Sequence, residues 1–250
     1  MITALSHLIT FPPSTIISTP ASFKSLKVSS ISFTPSPNPT IKPDFVTISE
    51  LSLIYLKTFK LSDKKIVDFC SGNAPIPMLM SFRTKARIFG VELQKEIFSL
   101  GYDSVMENGM DNQIQLINDD VKNVYDFMDA ESVDIVTCNP PYFKYKKSSL
   151  VNNNDIKTIA RHEVSLDLDE VLRATKYVLK NGGTFAMVHR PERLIEIINI
   201  MQKNNIEPKK IRLVYPKLGK EANILLIEGV KNGNVGLKVL SPLFVHNNDG

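Results

Sequence analysis

Long apolar runs are missing from this sequence. Nothing in its 250 residues approaches the roughly 18 to 20 consecutive apolar positions that a membrane-spanning helix requires, so a soluble protein is expected. Cysteine is nearly absent. Cys70 and Cys138 are the only two, each ends an apolar run, and they lack the paired spacing of a zinc site. They are expected as buried small hydrophobes in a reducing compartment, with no metal centre. An excess of one charge is also missing. Thirty basic residues against 26 acidic ones leave +4, too little to mark a polyanion binder by itself, so any such attraction must come from local patches.

Acidic residues are absent altogether from the first 43 positions, which hold nine serines, six threonines and seven prolines. That composition offers no periodic apolar face to pack. Residues 1–43 are therefore read as a poorly ordered leader and residues 44–250 as one folded domain. A Ser-rich, acid-poor leader is the composition of an organelle transit peptide, although arginine is absent; a disordered tail or a misassigned start are the alternatives. A cytoplasmic address is expected, or a plastid or mitochondrial one if the leader is a transit peptide. A monomer is expected.

What is present after Phe45 is an alternation of helical and strand patterns. "ISELSLIYLKTF" reads as an amphipathic helix, "KKIVDFC" as a buried strand, "IPMLMSF" as a helix, "ARIFGVE" as a strand and "QKEIFSLGYDSVMENG" as a helix closing on glycine. "IQLIND" and "VDIVTCN" follow as strands, then a helix over "LDEVLRATKYVLKNGG" with a glycine stop, a strand "TFAMVH", and a helix "PERLIEIINIMQKN" with proline in its first turn. The strands "KKIRLVYP" and "EANILLIEGV" end the pattern. Apolar strands separated by helices predict a doubly wound α/β domain, a Rossmann-like, mostly parallel seven-stranded sheet with an antiparallel last strand. In such sheets ligands lie beyond the carboxyl ends of the strands, where the strand order reverses. With the first and fourth strands adjacent there, Asp68 to Asn73, Glu92, and Asn139 to Tyr142 would share one crevice.

The first strand-to-helix turn, "DFCSGNAPIP", has one glycine, Gly72, where a dinucleotide fingerprint has three. Asn73 can take left-handed backbone in its place. A pyrophosphate needs backbone N–H donors at the next helix start, and Pro75 and Pro77 remove them. A cofactor with an amino-acid tail and a nucleoside but no phosphates fits better: S-adenosylmethionine. Glu92, 20 residues after Gly72, is placed to accept from both ribose hydroxyls, or else to favour the next helix dipole. Asp120 is the candidate acceptor for the adenine amino group, with Asp119 as its competitor.

"NPP" at Asn139, Pro140 and Pro141 offers carbonyl oxygens with two fewer backbone donors than an ordinary turn. Such an acceptor-rich surface suits an exocyclic aryl amine, whose lone pair is delocalised into the ring. If Asn139 Oδ1 and the Pro140 carbonyl hold its two hydrogens, electron density rises at nitrogen, and alignment matters more than a strong base. Tyr142 supplies a stacking face for a base swung out of its helix. The plain alternative is a strand end. Downstream, Phe143, Lys144, Lys146 and Lys147 interleave rings with positive charge, and Lys209, Lys210, Arg212, Lys217 and Lys220 form a second basic cluster. Arg161, with His162 and Glu163, is placed to order the loop.

Taken together, "VDFCSGNAPIP", "GVELQKE", "DIVTCNPPYF", "IARHE", "GGTFAMVHRPERL", "RLVYPKLGKEANILLIEG" and "SPLFVHNNDG" resemble the bacterial valine-tRNA adenine-N6 methyltransferase family, class I enzymes using S-adenosylmethionine. The resemblance runs from about Phe45 to Gly250. It implies N6-methylation of the adenine that follows the anticodon of a valine tRNA, with Asn139, Pro140, Pro141 and Tyr142 at the target base and Asp68, Gly72, Glu92 and Asp120 at the cofactor. RNA contacts are expected at Phe143, Lys144, Lys146, Lys147, Arg161, Lys209, Lys210 and Arg212 from the aromatic and basic patches themselves. Ala74 stands where many members have glycine, and residues 1–43 have no counterpart to the family's lead-in. Because "NPPY" is shared with protein-glutamine and ribosomal-RNA methyltransferases, those activities are the alternatives, together with a non-catalytic RNA-binding role.

Overall fold

The computed structural model of the chain describes residues 64–141 and 167–245. The helix expected over "ISELSLIYLKTF" lies outside them, as do Tyr142, Phe143, Lys144, Lys146, Lys147 and Arg161. In chain order the elements are β1 (Lys65–Phe69), α1 (Pro75–Ser81), β2 (Arg87–Glu92), α2 (Lys95–Glu107), β3 (Ile114–Asn118), a 3-10 turn (Val121–Asn123) running into α3 (Val124–Phe127), and β4 (Val133–Cys138). After the gap come α4 (Leu168–Val178), β5 (Leu179–His189), a 3-10 turn (Pro191–Arg193), α5 (Leu194–Lys203), β6 (Ile206–Tyr215), β7 (Ile224–Lys231), β8 (Lys238–Val239) and β9 (Leu243–Phe244).

The sheet order is β3-β2-β1-β4-β5-β7-β6-β8, with β9 also on β6. β1 to β5 pair in parallel and β7 runs antiparallel between β5 and β6, so the doubly wound architecture and the reversed last long strand are as expected. Two short tail strands raise the count to nine. They have too little apolar pattern to be read from sequence; pairing with the open edge of β6 creates them.

Burial on both faces explains why β1 and β4 carry apolar side chains on both faces. One face packs Ile66, Ile88 and Ile135 against Ile76, Met78 and Met80 of α1. The other packs Val67, Phe69, Val136 and Phe185 against Val171 and Leu172 of α4 and Ile197 and Met201 of α5.

The sequence reading carries α4 to the glycine pair at 182–183, yet the helix stops at Val178. Leu179 turns extended to bury its side chain completely, pairing with Val133, and the register then jumps to Ile135↔Thr184. Gly182, at φ 75, takes the left-handed backbone of the excursion between them. The helix start is capped: Asp167 accepts from Asp169 N–H, and Asp167 N–H donates to Glu170.

Candidate active site at the carboxyl edge of the sheet

The site starts at the end of β1. Ile66 faces α1, and the period of two along a strand turns Asp68 the same way. Its carboxyl is wholly buried: Oδ1 accepts from Thr137 Oγ1 at 2.6 Å, while Oδ2 has no partner among the described residues. Burial, and next to it the nearby Glu92 charge, push this carboxyl up to about 8, with the Thr137 hydrogen bond opposing.

The turn that follows is tightly wound. Left-handed backbone falls on Cys70 (φ 57), Gly72 (φ 57) and Ala74 (φ 66), not on Asn73. Ser71 N–H donates to Val91 O and Ala74 N–H to Ser71 O, both at 2.9 Å, which closes the loop and leaves Ala74 in the conformation glycine prefers. Pro75 and Pro77 enter α1 in its first turn, as the sequence indicates. Gly101 of α2 lets this turn seat closely, since a Cβ there would lie 3.1 Å from the Asn73 carbonyl carbon.

Glu92 does more than sequence reasoning assigned to it. Its buried carboxylate accepts from Gly72 N–H and from Gln94 N–H, each at 2.9 Å, so it straps the first turn to the start of α2. Burial raises this carboxyl and the backbone donors pull against it. A carboxylate has about four lone-pair positions, so two remain for a diol. These residues fit S-adenosylmethionine: a buried carboxyl oxygen without a partner suits an ammonium, and the strapped Glu92 suits ribose. The same turn lacks the run of N–H donors a pyrophosphate needs.

Asn139 is brought beside this turn by strand pairing. The register Phe69↔Cys138 aligns the last residues of β1 and β4, so the turn that begins at Cys70 and the segment that begins at Asn139 leave the sheet side by side. Asn139 and Pro141 are half-buried and Pro140 is buried. A family model described as N-6 DNA methylase matches residues 42–207. The chain belongs to the N-6 DNA methylase family.

Among the relatives of this N-6 DNA methylase chain, a tRNA1(Val) (adenine(37)-N6)-methyltransferase of Dyadobacter fermentans is 31% identical over 122 residues, 48% of each chain. One of Parabacteroides distasonis is 24% identical over 167 residues, 66% of this chain and 68% of the relative. The chain thus spans about half the length of the former and about two thirds of the latter. Its fold is similar to that of a crystal structure of a predicted O-methyltransferase from Agrobacterium tumefaciens, with TM-score 0.64 and 20% identity over 80% of this chain and 89% of that one.

Other candidates are placed differently within this N-6 DNA methylase fold. Asp120 caps the turn Val121–Asn123, accepting from Lys122 N–H at 3.0 Å, with Lys122 Nζ 3.5 Å from its other oxygen. Asp119 accepts from Asp120 N–H and from Asn123. Lys209, Lys210 and Arg212 lie along β6 and are half-buried, and Lys210 is committed to the buried Glu228 at 3.0 Å.

Two arrangements, at Thr137 and at His189, went unread in the sequence, while the cysteines take the place expected of them, Cys138 buried and Cys70 half-buried. Thr137 orients Asp68; the signal was its place two residues before Asn139, on a strand adjacent to β1. Cys70 packs against the core cluster that contains Cys138, and burial, with Cys70 and Asp68 as neighbours, pushes the Cys138 thiol well up. His189 ends β5 fully buried, its Nδ1 accepting from Arg190 N–H at 2.7 Å and its Nε2 3.3 Å from Arg193. Burial, then the Arg193 charge, bring it down to about 4, so it is neutral at pH 7. Among the described residues no cluster of three or more His, Cys, Asp or Glu could hold a metal, and no helix is long and apolar enough to cross a membrane.

Proposed function

We propose that the chain transfers the methyl group of S-adenosylmethionine to the exocyclic N6 of an adenine in tRNA, the adenine next to the anticodon of a valine tRNA. The observation that carries this reading is the pairing of β1 with β4, which sets Asn139 next to the Asp68–Ala74 turn. The names of the relatives support the substrate. The protein acts as a monomer, in the cytoplasm, or in a plastid or mitochondrion if residues 1–43 direct it there.

Asp68 takes the ammonium of the cofactor's amino-acid tail, Glu92 its ribose, and the Gly72 turn its passage between them. The bound cofactor supplies an electrophilic methyl carbon on a sulfonium. Asn139 Oδ1 and the Pro140 carbonyl accept the two N–H bonds of the adenine amine, which raises electron density at nitrogen and points its lone pair away from the ring plane. Pro140 and Pro141 hold that geometry by restricting the backbone. Tyr142 stacks on the flipped base. An amide oxygen is too weak a base to retain a proton, so the proton lost from nitrogen passes to solvent.

Labelled cofactor is incubated with unmodified tRNA and the product digested to nucleosides. N6-methyladenosine is expected, and label in another nucleoside, in protein that survives nuclease, or only in added DNA would overturn the assignment. Asn139→Ala should lower turnover by about 10²–10³-fold with cofactor affinity nearly intact. Equal loss of both assigns Asn139 to folding.

A further inference from the structure

The two flanks of the sheet carry opposite charge. Residues 92–120, from the end of β2 through α2 and β3, hold seven acidic residues and one basic one; residues 206–245, on the β6–β9 side, hold seven basic and three acidic. The Asp68, Glu92 and Asn139 crevice lies between them.

On the basic side, the crevice edge continues into a rim. β7 is antiparallel, with His189↔Leu225 and Val214↔Ile224 in register, so the end of β6 and the turn 216–223 sit at the same edge as Asn139. Tyr215 pairs with Phe244 of β9, their ring centroids 5.5 Å apart, and Phe244 is 41% exposed. Lys217, Leu218 and Lys220 are exposed on the adjoining turn, which Lys220 N–H closes onto Lys217 O at 3.2 Å. Neither lysine makes an ion pair among the described residues, unlike Lys210 with Glu228 or Lys231 with Glu131. Glu221 is the single acid of that turn.

We propose that RNA reaches the site over this rim, with phosphates at Lys217 and Lys220 and an unpaired base against the Tyr215–Phe244 pair. The surface rests on the tRNA reading and extends it from the target base to the body of the substrate. Four strand steps of about 4.8 Å separate β4 from β9, so the ring pair stands about 20 Å from Asn139. A folded RNA spans that distance and a free nucleoside does not. Approach over β2 and β3 would bring phosphates onto the acidic flank and is disfavoured. Base stacking on exposed rings beside unpaired cations is how single-stranded segments are held without sequence readout.

The experiment measures tRNA affinity by equilibrium binding across salt concentrations, separately from methyl transfer, in the full chain. The double variant Lys217→Glu, Lys220→Glu should weaken tRNA binding at least about tenfold and reduce the salt slope by about 1.4–1.8, the share of two phosphate contacts. Cofactor affinity and kcat should stay within about twofold. Phe244→Ala should weaken binding about fivefold or more with the slope unchanged. Lys85→Glu, exposed at the opposite edge before β2, should alter neither. Unchanged affinity and slope in the double variant, or an equal loss in Lys85→Glu, overturns the surface. tRNA held through these lysines but never methylated overturns the reaction and keeps the surface; a wild-type chain that binds no tRNA overturns both.

Discussion

Asp68 is a carboxyl that the fold makes reluctant to ionise. Its folded value, about 8, lies above its ordinary 3.8, so the folded protein holds a proton that the unfolded chain releases between about pH 4 and 8. Its contribution to stability is therefore full below pH 4 and is lost as pH rises through 8, with a slope of at most about 1.4 kcal/mol per pH unit. Urea unfolding midpoints of the wild type should fall between pH 5 and 8, and Asp68→Asn should flatten that fall; parallel curves would sink the assignment. A bound ammonium favours the carboxylate, so cofactor affinity should climb over the same interval and lose that dependence in Asp68→Asn. That residues 68, 92 and 139 stand at the carboxyl edge of the sheet was legible, because each lies at or beside the end of a strand pattern. That Glu92 straps Gly72 was not, since backbone donors carry no sequence signature.

The element that organises the site is the Cys70–Ala74 turn, held from below by Glu92 and from the side by α2. Gly101 is the contact point. Gly101→Ala would gain up to about 1 kcal/mol in helix propensity, but its Cβ would meet the Asn73 backbone at 3.1–3.2 Å, and the turn must yield. Thermal stability should change little while cofactor affinity, read by calorimetry, falls severalfold; unchanged affinity would show that the turn does not depend on this packing. The glycine was visible in the pattern of α2, though only the docked helix reveals what it meets. The same holds for the boundary of α4. Local propensity carries a helix to the glycine pair, and the core's demand for Leu179 ends it at Val178.

At the scale of the molecule, a nearly balanced net charge hides a charge separation across the sheet. Seven acids against one base between the end of β2 and the turn after β3 leave a field that turns a polyanion toward β6. Neutralising exposed acids of α2, as in Glu96→Gln, Asp103→Asn, Glu107→Gln, should speed tRNA association two- to threefold at low salt and make no difference at 0.5 M, where the Debye length is only about 4 Å. Stopped-flow binding checks it, and a salt-independent change would point to altered structure instead. The order of apolar runs and breakers by itself determined the α/β architecture and put Asp68, Glu92 and the Asn-Pro-Pro segment at the carboxyl ends of their strands, because burial on two faces forces largely apolar strands. Only the tertiary structure decided which groups meet. The pairing of β1 with β4 sets Thr137 on Asp68 and Cys70 beside Asn139, and the reversed β7 carries the basic turn to the site, since contacts between residues some 70 positions apart follow from strand register rather than from local spacing.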